Sequence, residues 1–368
     1  MMKCIYRISY ALIIVGLFSA CNNQKSKELS GKEQLIDVLR SVKGKGILFG
    51  HQDDLAYGIN WKYVDGQSDV KRVAGDYPAL FGWELGGLER GDAVNLDSVP
   101  FDTMRRLALT AYQKGGINSF SWHPYSVVNG ENSWNTDTTV VKYIIPGGDK
   151  HEAFVHQLDK IADFLNSIKT ENGEKIPFIF RPWHEMDGGW FWWGSKSCTP
   201  DEFKQLFQFT IDYLRNEKGV DQMVVAYSPD CSFTSLNQYL TWYPGDEYID
   251  VVGVDNYYDL RVGGDVQAAI NKLHIVIDYA NQNGKISALT ESGIENVADS
   301  TWYVQKLGVV LNDDKVAANI SYAMVWRNDP DVHFFFPYPG HPGAKYAKEL
   351  LNQDHIWLLN DLVALEKK

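Results

Sequence analysis

Two glutamates and a run of indoles are the residues of this sequence best suited to chemistry. Glu185 lies in Arg181-Pro-Trp-His-Glu-Met-Asp-Gly-Gly-Trp-Phe-Trp-Trp193, directly after the β-type run 176–180, and Trp190, Trp192 and Trp193 follow it closely. A second apolar run, 286–290, ends on Glu291. Two carboxyls at two strand ends can divide acid and nucleophile roles between them, as retaining sugar hydrolysis requires, with the carboxyls about 5–5.5 Å apart. Indoles beside them offer flat apolar faces on which sugar rings stack.

Such a pair has to be held by a scaffold. Short, continuously apolar runs recur at 46–49, 79–83, 117–122, 176–180, 223–227, 249–254, 286–290 and 320–326. Continuous rather than alternating apolarity predicts parallel strands buried on both faces. Between them lie amphipathic stretches. In 151–169 an apolar stripe runs through Phe154, Leu158, Ile161, Phe164, Leu165 and Ile168. Thr199-Pro-Asp-Glu202 is a helix start, with Thr199 as N-cap, proline at the first helical position and Glu202 closing a capping box. Segments 265–281 and 301–311 add two more helices. Eight strands alternating with helices predict an α/β fold, a single-domain (β/α)8 TIM barrel. The alternative, a doubly wound open sheet, would want a glycine-rich turn after its first strand, whereas Gly44-Lys-Gly46 precedes it.

A barrel of this kind places its site at the strand C-terminal ends. Those ends carry Trp83-Glu84, Trp122-His123, Trp183-His184-Glu185, Asp255-Asn-Tyr257, Glu291 and Trp326-Arg327. Any one could be a capped strand; their gathering on one face points to function. Glu185 is assigned as acid/base, with Trp183 and Trp190 as apolar neighbours that raise a carboxyl pKa. Glu291 is assigned as nucleophile, kept anionic by donors such as Tyr257 or Arg181. Trp190 and Trp326 are the sugar platforms; Trp192 and Trp193 could equally be core. The polar stretch 124–150, with Trp134 at its middle, is expected to wall off one end of a cleft. The zinc pattern H-E-x-x-H fails because position 188 is glycine, and no G-x-S-x-G elbow is present. The expectation is no metal and no cofactor.

Lys3 and Arg7 followed by the apolar segment 8–18 predict an export signal over 1–20, too short for the roughly 20 apolar residues of a membrane span. Ser19-Ala-Cys21 resembles a lipobox, which makes Cys21 the lipidated N-terminus, 21–30 a tether and 31–368 the catalytic barrel. No acidic cluster follows Cys21, which favours the periplasmic face over the cell surface. Loss of Lys3 and Arg7, two of 35 basic residues against 47 acidic ones, takes the formal charge from −12 to −14. That excludes nucleic acid, whose affinity rests on basic contacts to phosphate, and leaves the membrane to the lipid alone. With 13% aromatics and 12 Trp, the composition suits a neutral polysaccharide. Cys198 and Cys231, in neighbouring loops, could form a disulfide or remain two buried thiols.

These features resemble glycoside hydrolase family 26, whose best-known members are β-mannanases. The resemblance is carried by Gly50-His-Gln52, Trp122-His-Pro124, Arg181-Pro-Trp-His-Glu-Met-Asp-Gly188, Tyr257, Thr290-Glu-Ser-Gly293 and Trp326-Arg327, over about residues 46 to 328. It implies double displacement by Glu185 and Glu291. It also implies that His184 orients Glu185 or the nucleophile, that His123 binds the glycone sugar, that Tyr257 bonds to Glu291, and that Trp326 floors the subsite before the scissile bond. The expected substrates are mannan, galactomannan or manno-oligosaccharides, cut by a bare monomeric catalytic domain to short products such as mannobiose. The rivals are another β-glycanase, for xylan or mixed-linkage glucan, and a non-catalytic glycan-binding lipoprotein.

Overall fold

The computed structural model describes residues 30–329 and 331–366. The expected leader and Cys21 lie outside them. The eight apolar runs form eight strands: β1 (Ile47–Gln52), β2 (Leu80–Glu84), β3 (Ile117–Trp122), β4 (Phe178–Pro182), β5 (Met223–Tyr227), β6 (Val251–Asn256), β7 (Ile286–Ser292) and β8 (Ile320–Val325). Each pairs in parallel with the next, and β8 pairs back with β1 through Leu48–Tyr322 to His51–Val325. That closure makes a barrel and excludes the open sheet. A short ninth strand, β9 (Ile356–Trp357), adds to β1 from outside.

Every residue of the eight strands is buried, so the continuous apolar pattern has its expected cause: side chains alternate between the barrel interior and the surrounding helices. The interior core includes Leu48, Leu80, Ile179, Val224, Val251 and Met324, while Phe49, Phe81, Phe120, Phe178 and Val225 face the outer layer. Helix α1 (Gly31–Val42) closes the N-terminal end with Leu35, Leu39 and Val42, which belong to the interior core. Its start is fixed by a capping box between Ser30 and Glu33, a device worth about 1 kcal/mol.

The expected helices occur at His151–Ser167, Pro200–Asp212 and Val266–Asn283, the second with the Thr199–Glu202 capping box intact. Segment 301–311 is helical from Tyr303, but its first turns, Tyr303–Gly308, are π-helical. Several strands run further than the sequence suggests. β4 begins and ends two residues later, β6 takes in Asp255 and Asn256, and β7 takes in Glu291 and Ser292. The sequence marks strands by apolarity, whereas these polar side chains are buried with partners of their own: Asp255 and Glu291 with Arg181, Asn256 with Asp259, and Ser292 with Met324 O.

Candidate active site

Side chains point inward at every second strand position, and along several strands that inward row changes character over one pleat. β4 goes from Ile179 to Arg181, β6 from Val251 through Gly253 to Asp255, and the row begun by Val224 and Ala226 of β5 continues to Ser228. β7 departs from strict alternation. Its register against β6 slips between Val254–Leu289 and Asp255–Glu291. The slip turns both Thr290 and Glu291 towards the interior, where Thr290 Oγ1 meets Ser228 Oγ at 2.7 Å.

Arg181 is the hub. Its Nη1 donates to Asp255 Oδ2 at 2.8 Å and its Nη2 donates to Glu291 Oε1. Ser228 Oγ donates to Asp255 Oδ1 at 2.5 Å, and Tyr257 OH donates to Glu291 Oε2 at 2.9 Å. Arg181, Asp255 and Glu291 are all buried. A buried cation is stable only when paired. Burial opposes the Arg181 charge, but Asp255 and then Glu291 more than offset this, so the guanidinium stays protonated.

Glu185 reaches the same point by a strained route. Trp183 and Glu185 have φ of +55° and +53°, in the left-handed region that non-glycine residues seldom adopt. The strain is held by Glu185 N donating to Ser228 O at 2.8 Å and by the buried Trp183 indole donating to Thr210 Oγ1 at 3.2 Å. The result lifts Glu185 to the rim, half-buried, where Trp190 Nε1 donates to its Oε2 at 2.8 Å. Carboxylate oxygens of Glu185, Asp255 and Glu291 lie within 4.8 Å of one another. Three converging acids could in principle hold a cation. Here the Asp255 and Glu291 oxygens already accept bonds from Arg181, Ser228 and Tyr257, so Arg181 occupies the role a metal would take.

The two glutamates differ in the company they keep. Burial, then the charges of Asp255, Glu291 and Asp230, push Glu185 well above the usual carboxylate range, with only the Trp190 bond pulling it down. Burial pushes Glu291 up to about 7 with Asp255 acting in the same direction, against the pull of Arg181, His123 and Tyr257. A guanidinium touches Glu291 and none touches Glu185, so Glu185 is the one that holds its proton and Glu291 the one that ionises.

A second polar chain lies beside the first. Glu84 accepts from His123 N at 2.7 Å, from Ser121 Oγ at 2.7 Å and from His123 Nδ1 at 2.8 Å. Burial alone would raise Glu84, but the His123 and Ser121 contacts hold it below the usual range. His123 Nε2 then faces His184 Nε2 at 3.0 Å. Burial, with the Arg181 charge adding to it, drives His184 well below the ordinary histidine value, so its ring is neutral. The ring's hydrogen-bond partner among the described residues is His123, and it lines one cavity with both glutamates.

The cleft has two compartments that share Trp134, Glu185, Trp190 and Tyr257. The narrow one, about 250 Å³, also takes in Glu291, His123, His184 and Trp326. The wide one, about 820 Å³, takes in Asp230, Tyr258 and Arg261 instead. All the named residues, Glu185, Glu291, Arg181, His123, His184, Trp190, Tyr257 and Trp326, therefore come together. Trp192 and Trp193 are buried core, stacking edge-to-face under the site. The stretch 124–150 was expected to wall off one end of the cleft, with Trp134 at its middle. Trp134 stacks on His123 (centroids 5.1 Å, 10° between planes), 54% exposed, and borders both compartments. The narrow side is bounded by Leu96, Asp97, His333 and Phe335, from the loops after β2 and β8. Those loop residues carried no strand-end signal and were missed. So was Asp255 as a partner of Arg181, because a strand-end aspartate reads as a cap. Cys198 and Cys231 are free thiols. Their sulfurs bond to Trp193 O at 3.3 Å and Asp230 Oδ1 at 3.7 Å, so the disulfide option is not realised.

A closed parallel barrel with two glutamates converging from β7 and the end of β4 defines the architecture of barrel glycosidases that use paired carboxyls. The chain belongs to glycosyl hydrolase family 26, whose family model matches residues 22–330. A mannan endo-1,4-beta-mannosidase of Bifidobacterium adolescentis is 35% identical over 313 residues, covering 80% of this chain and 31% of that protein. One of Thermothelomyces thermophilus is 32% identical over 287 residues, covering 72% of this chain and 51% of that protein. The chain thus spans from a third to half the length of these curated relatives. A solved GH26 beta-mannanase from Bacteroides ovatus superposes with a TM-score of 0.86 at 38% identity, covering 91% of this chain and 96% of that one.

Proposed function

We propose that this chain is a retaining β-1,4-mannan hydrolase of the endo type. The observation that carries the reading is the convergence of Glu185 and Glu291 within 4.8 Å, in a cleft floored by indoles. That spacing falls with retaining glycosidases, at about 5–5.5 Å, and below the roughly 6.5–9.5 Å that leaves room for the water of an inverting enzyme. The relatives named above supply the polysaccharide.

In this mechanism the Glu291 carboxylate attacks the anomeric carbon of the sugar in the narrow compartment. Glu185 gives its proton to the glycosidic oxygen as the bond to the leaving sugar breaks. Glu185, now ionised, takes a proton from water, which attacks the same carbon and frees Glu291. Arg181 and Tyr257 hold the attacking oxygens in place and keep them ionised. Trp190 donates to Glu185 and offers a face to the sugar; Trp326 floors the narrow compartment, and His123, held by Glu84 and backed by His184, faces its hydroxyls. Because Glu291 borders only the narrow compartment, that side takes the glycone and the wide side takes the leaving group. A small glycone side favours short products such as mannobiose.

The basic and apolar stretch before Ser19-Ala-Cys21 supports export and lipid anchoring at Cys21, with the barrel as a monomer on the periplasmic face. No helix among the described residues is long and apolar enough to cross a membrane. The test is release of reducing sugar from a panel of linear mannan, galactomannan, xylan and mixed-linkage glucan. Cleavage of the mannans by the wild-type chain, reduced by about 10² or more in Glu185→Gln and Glu291→Ala, is expected. Full mannan hydrolysis by either variant would contradict the reading, and binding without turnover across the panel would make the chain a glycan-binding protein.

A further inference from the structure

The wide compartment contains one carboxylate for which the displacement steps have no use. Asp230 follows β5 and borders that cavity together with Glu185, Trp190 and Tyr258. Its backbone is fixed from two sides. Asp230 forms a parallel bridge with Asp255, which ties its turn to the strand carrying the acid beside Arg181. On the other side, Asp187 Oδ1 accepts from Asp230 N at 2.7 Å, and Asp187 Oδ2 accepts from Ser232 Oγ. Asp187 sits in the turn that Glu185 begins, closed by Gly188 N donating to Glu185 O at 3.0 Å. One connected unit therefore positions both the Asp230 turn and the proton donor.

The Asp230 side chain, in contrast, is almost unspent. Its hydrogen-bond partners among the described residues come from its neighbour Cys231 alone: the backbone N–H and the thiol, the latter at a long 3.7 Å. Lys272 is committed to Asp259 at 2.6 Å, and Arg261 donates to Tyr258 O and stacks 3.4 Å over the Tyr258 ring. An ionised carboxylate has about four acceptor positions and no donor, so what it lacks is hydroxyl groups. The compartment's other walls present rings: Trp190 is 38% exposed and Tyr258 63% exposed, braced by Arg261. Rings suit the C–H faces of a pyranose, and a carboxylate beside them suits its hydroxyl edge.

We propose that Asp230 binds the sugar on the leaving-group side of the cleft by accepting hydrogen bonds from its hydroxyls, and that Asp187 is the positioning residue that holds it there. This rests on the mannan-hydrolase reading and on Glu185 as its acid. It makes Asp230 a specificity residue that separates a sugar leaving group from any other.

The test compares two substrates: a linear manno-oligosaccharide, which places sugar in the wide compartment, and an aryl β-mannobioside, whose phenol has no hydroxyls to offer. The readout is the ratio of kcat/KM for the first to that for the second. A lost hydrogen bond to a charged group predicts a fall of about ten-fold or more in that ratio for Asp230→Ala, and a smaller fall for Asp230→Asn. Asp187→Asn is expected to lower the same ratio, chiefly through KM on the oligosaccharide. Partial unfolding lowers both rates alike and leaves the ratio untouched, so a misfolding variant cannot mimic the effect. An unchanged ratio in Asp230→Ala, with the wild-type chain active on both substrates, removes this inference and leaves the mannan reading standing. A wild-type chain that cleaves neither substrate removes both.

Discussion

The two ends of the barrel are made of opposite materials on the same eight strands. At the N-terminal end, α1 sets Leu35, Leu39 and Val42 against the apolar interior row that includes Leu48, Leu80 and Ile179. At the C-terminal end, one pleat further along β4, the buried Arg181 lies between Asp255 and Glu291. The first end gains stability from area removed from water. The second gains little net stability, since paired charges roughly repay their own desolvation, but it fixes the position of two carboxyls. The contrast teaches that one end supports the fold and the other the chemistry, and that changes at each should be felt in different measurements.

The largest effect expected is at the chemical end. Glu291→Ala should lower kcat on mannan by on the order of 10⁴ or more, as loss of a covalent nucleophile does, with far-ultraviolet circular dichroism still reporting the barrel. Glu185→Gln should cost roughly 10² to 10⁴ on polysaccharide. Steady-state rates should show much of that loss recovered on an aryl glycoside whose leaving group needs no proton. Leu39→Ala tests the opposite end. It should destabilise the fold by roughly 2–5 kcal/mol in denaturant titration, while the protein that remains folded keeps kcat/KM within about two-fold, since distant sites act independently.

A finer test concerns how Glu291 stays ionised. Tyr257 pulls its pKa down from the level that burial imposes, and the value is still about 7. Removing the hydroxyl in Tyr257→Phe raises that value. Because the nucleophile must be ionised, the acid limb of kcat/KM against pH should move to higher pH; a limb that stays put or moves down would break the link between Tyr257 and Glu291. The smallest effect expected is Ser30→Ala, which removes one side of the α1 capping box and should cost about 1 kcal/mol of stability with no change in rate.

The two ends were also unequally legible in the sequence. The scaffold could be read because burial on both faces leaves continuous apolar runs, and all eight runs became strands. The strand ends were misjudged by up to three residues for the same reason: polar residues such as His51, Gln52, Arg181, Asp255 and Glu291 break the apolar pattern while remaining buried. Glu185 and Glu291 were legible as a pair, but the means of their approach was not, because it depends on the left-handed φ of Trp183 and Glu185 and on the register slip of β7. Neither leaves a mark such as glycine in the sequence. Asp97, His333 and Phe335 come from loops, where side-chain direction follows the chain path and no periodicity announces it.

The most direct test of the paired-glutamate assignment is the anomeric configuration of the first-formed product. Proton nuclear magnetic resonance during hydrolysis of a manno-oligosaccharide, read before mutarotation, distinguishes the outcomes. Carboxyl oxygens within 4.8 Å leave no place for an attacking water opposite the leaving group, so the β-anomer should appear first and the α-anomer only later. The α-anomer appearing first would mean single displacement by water, and would contradict Glu291 as the nucleophile.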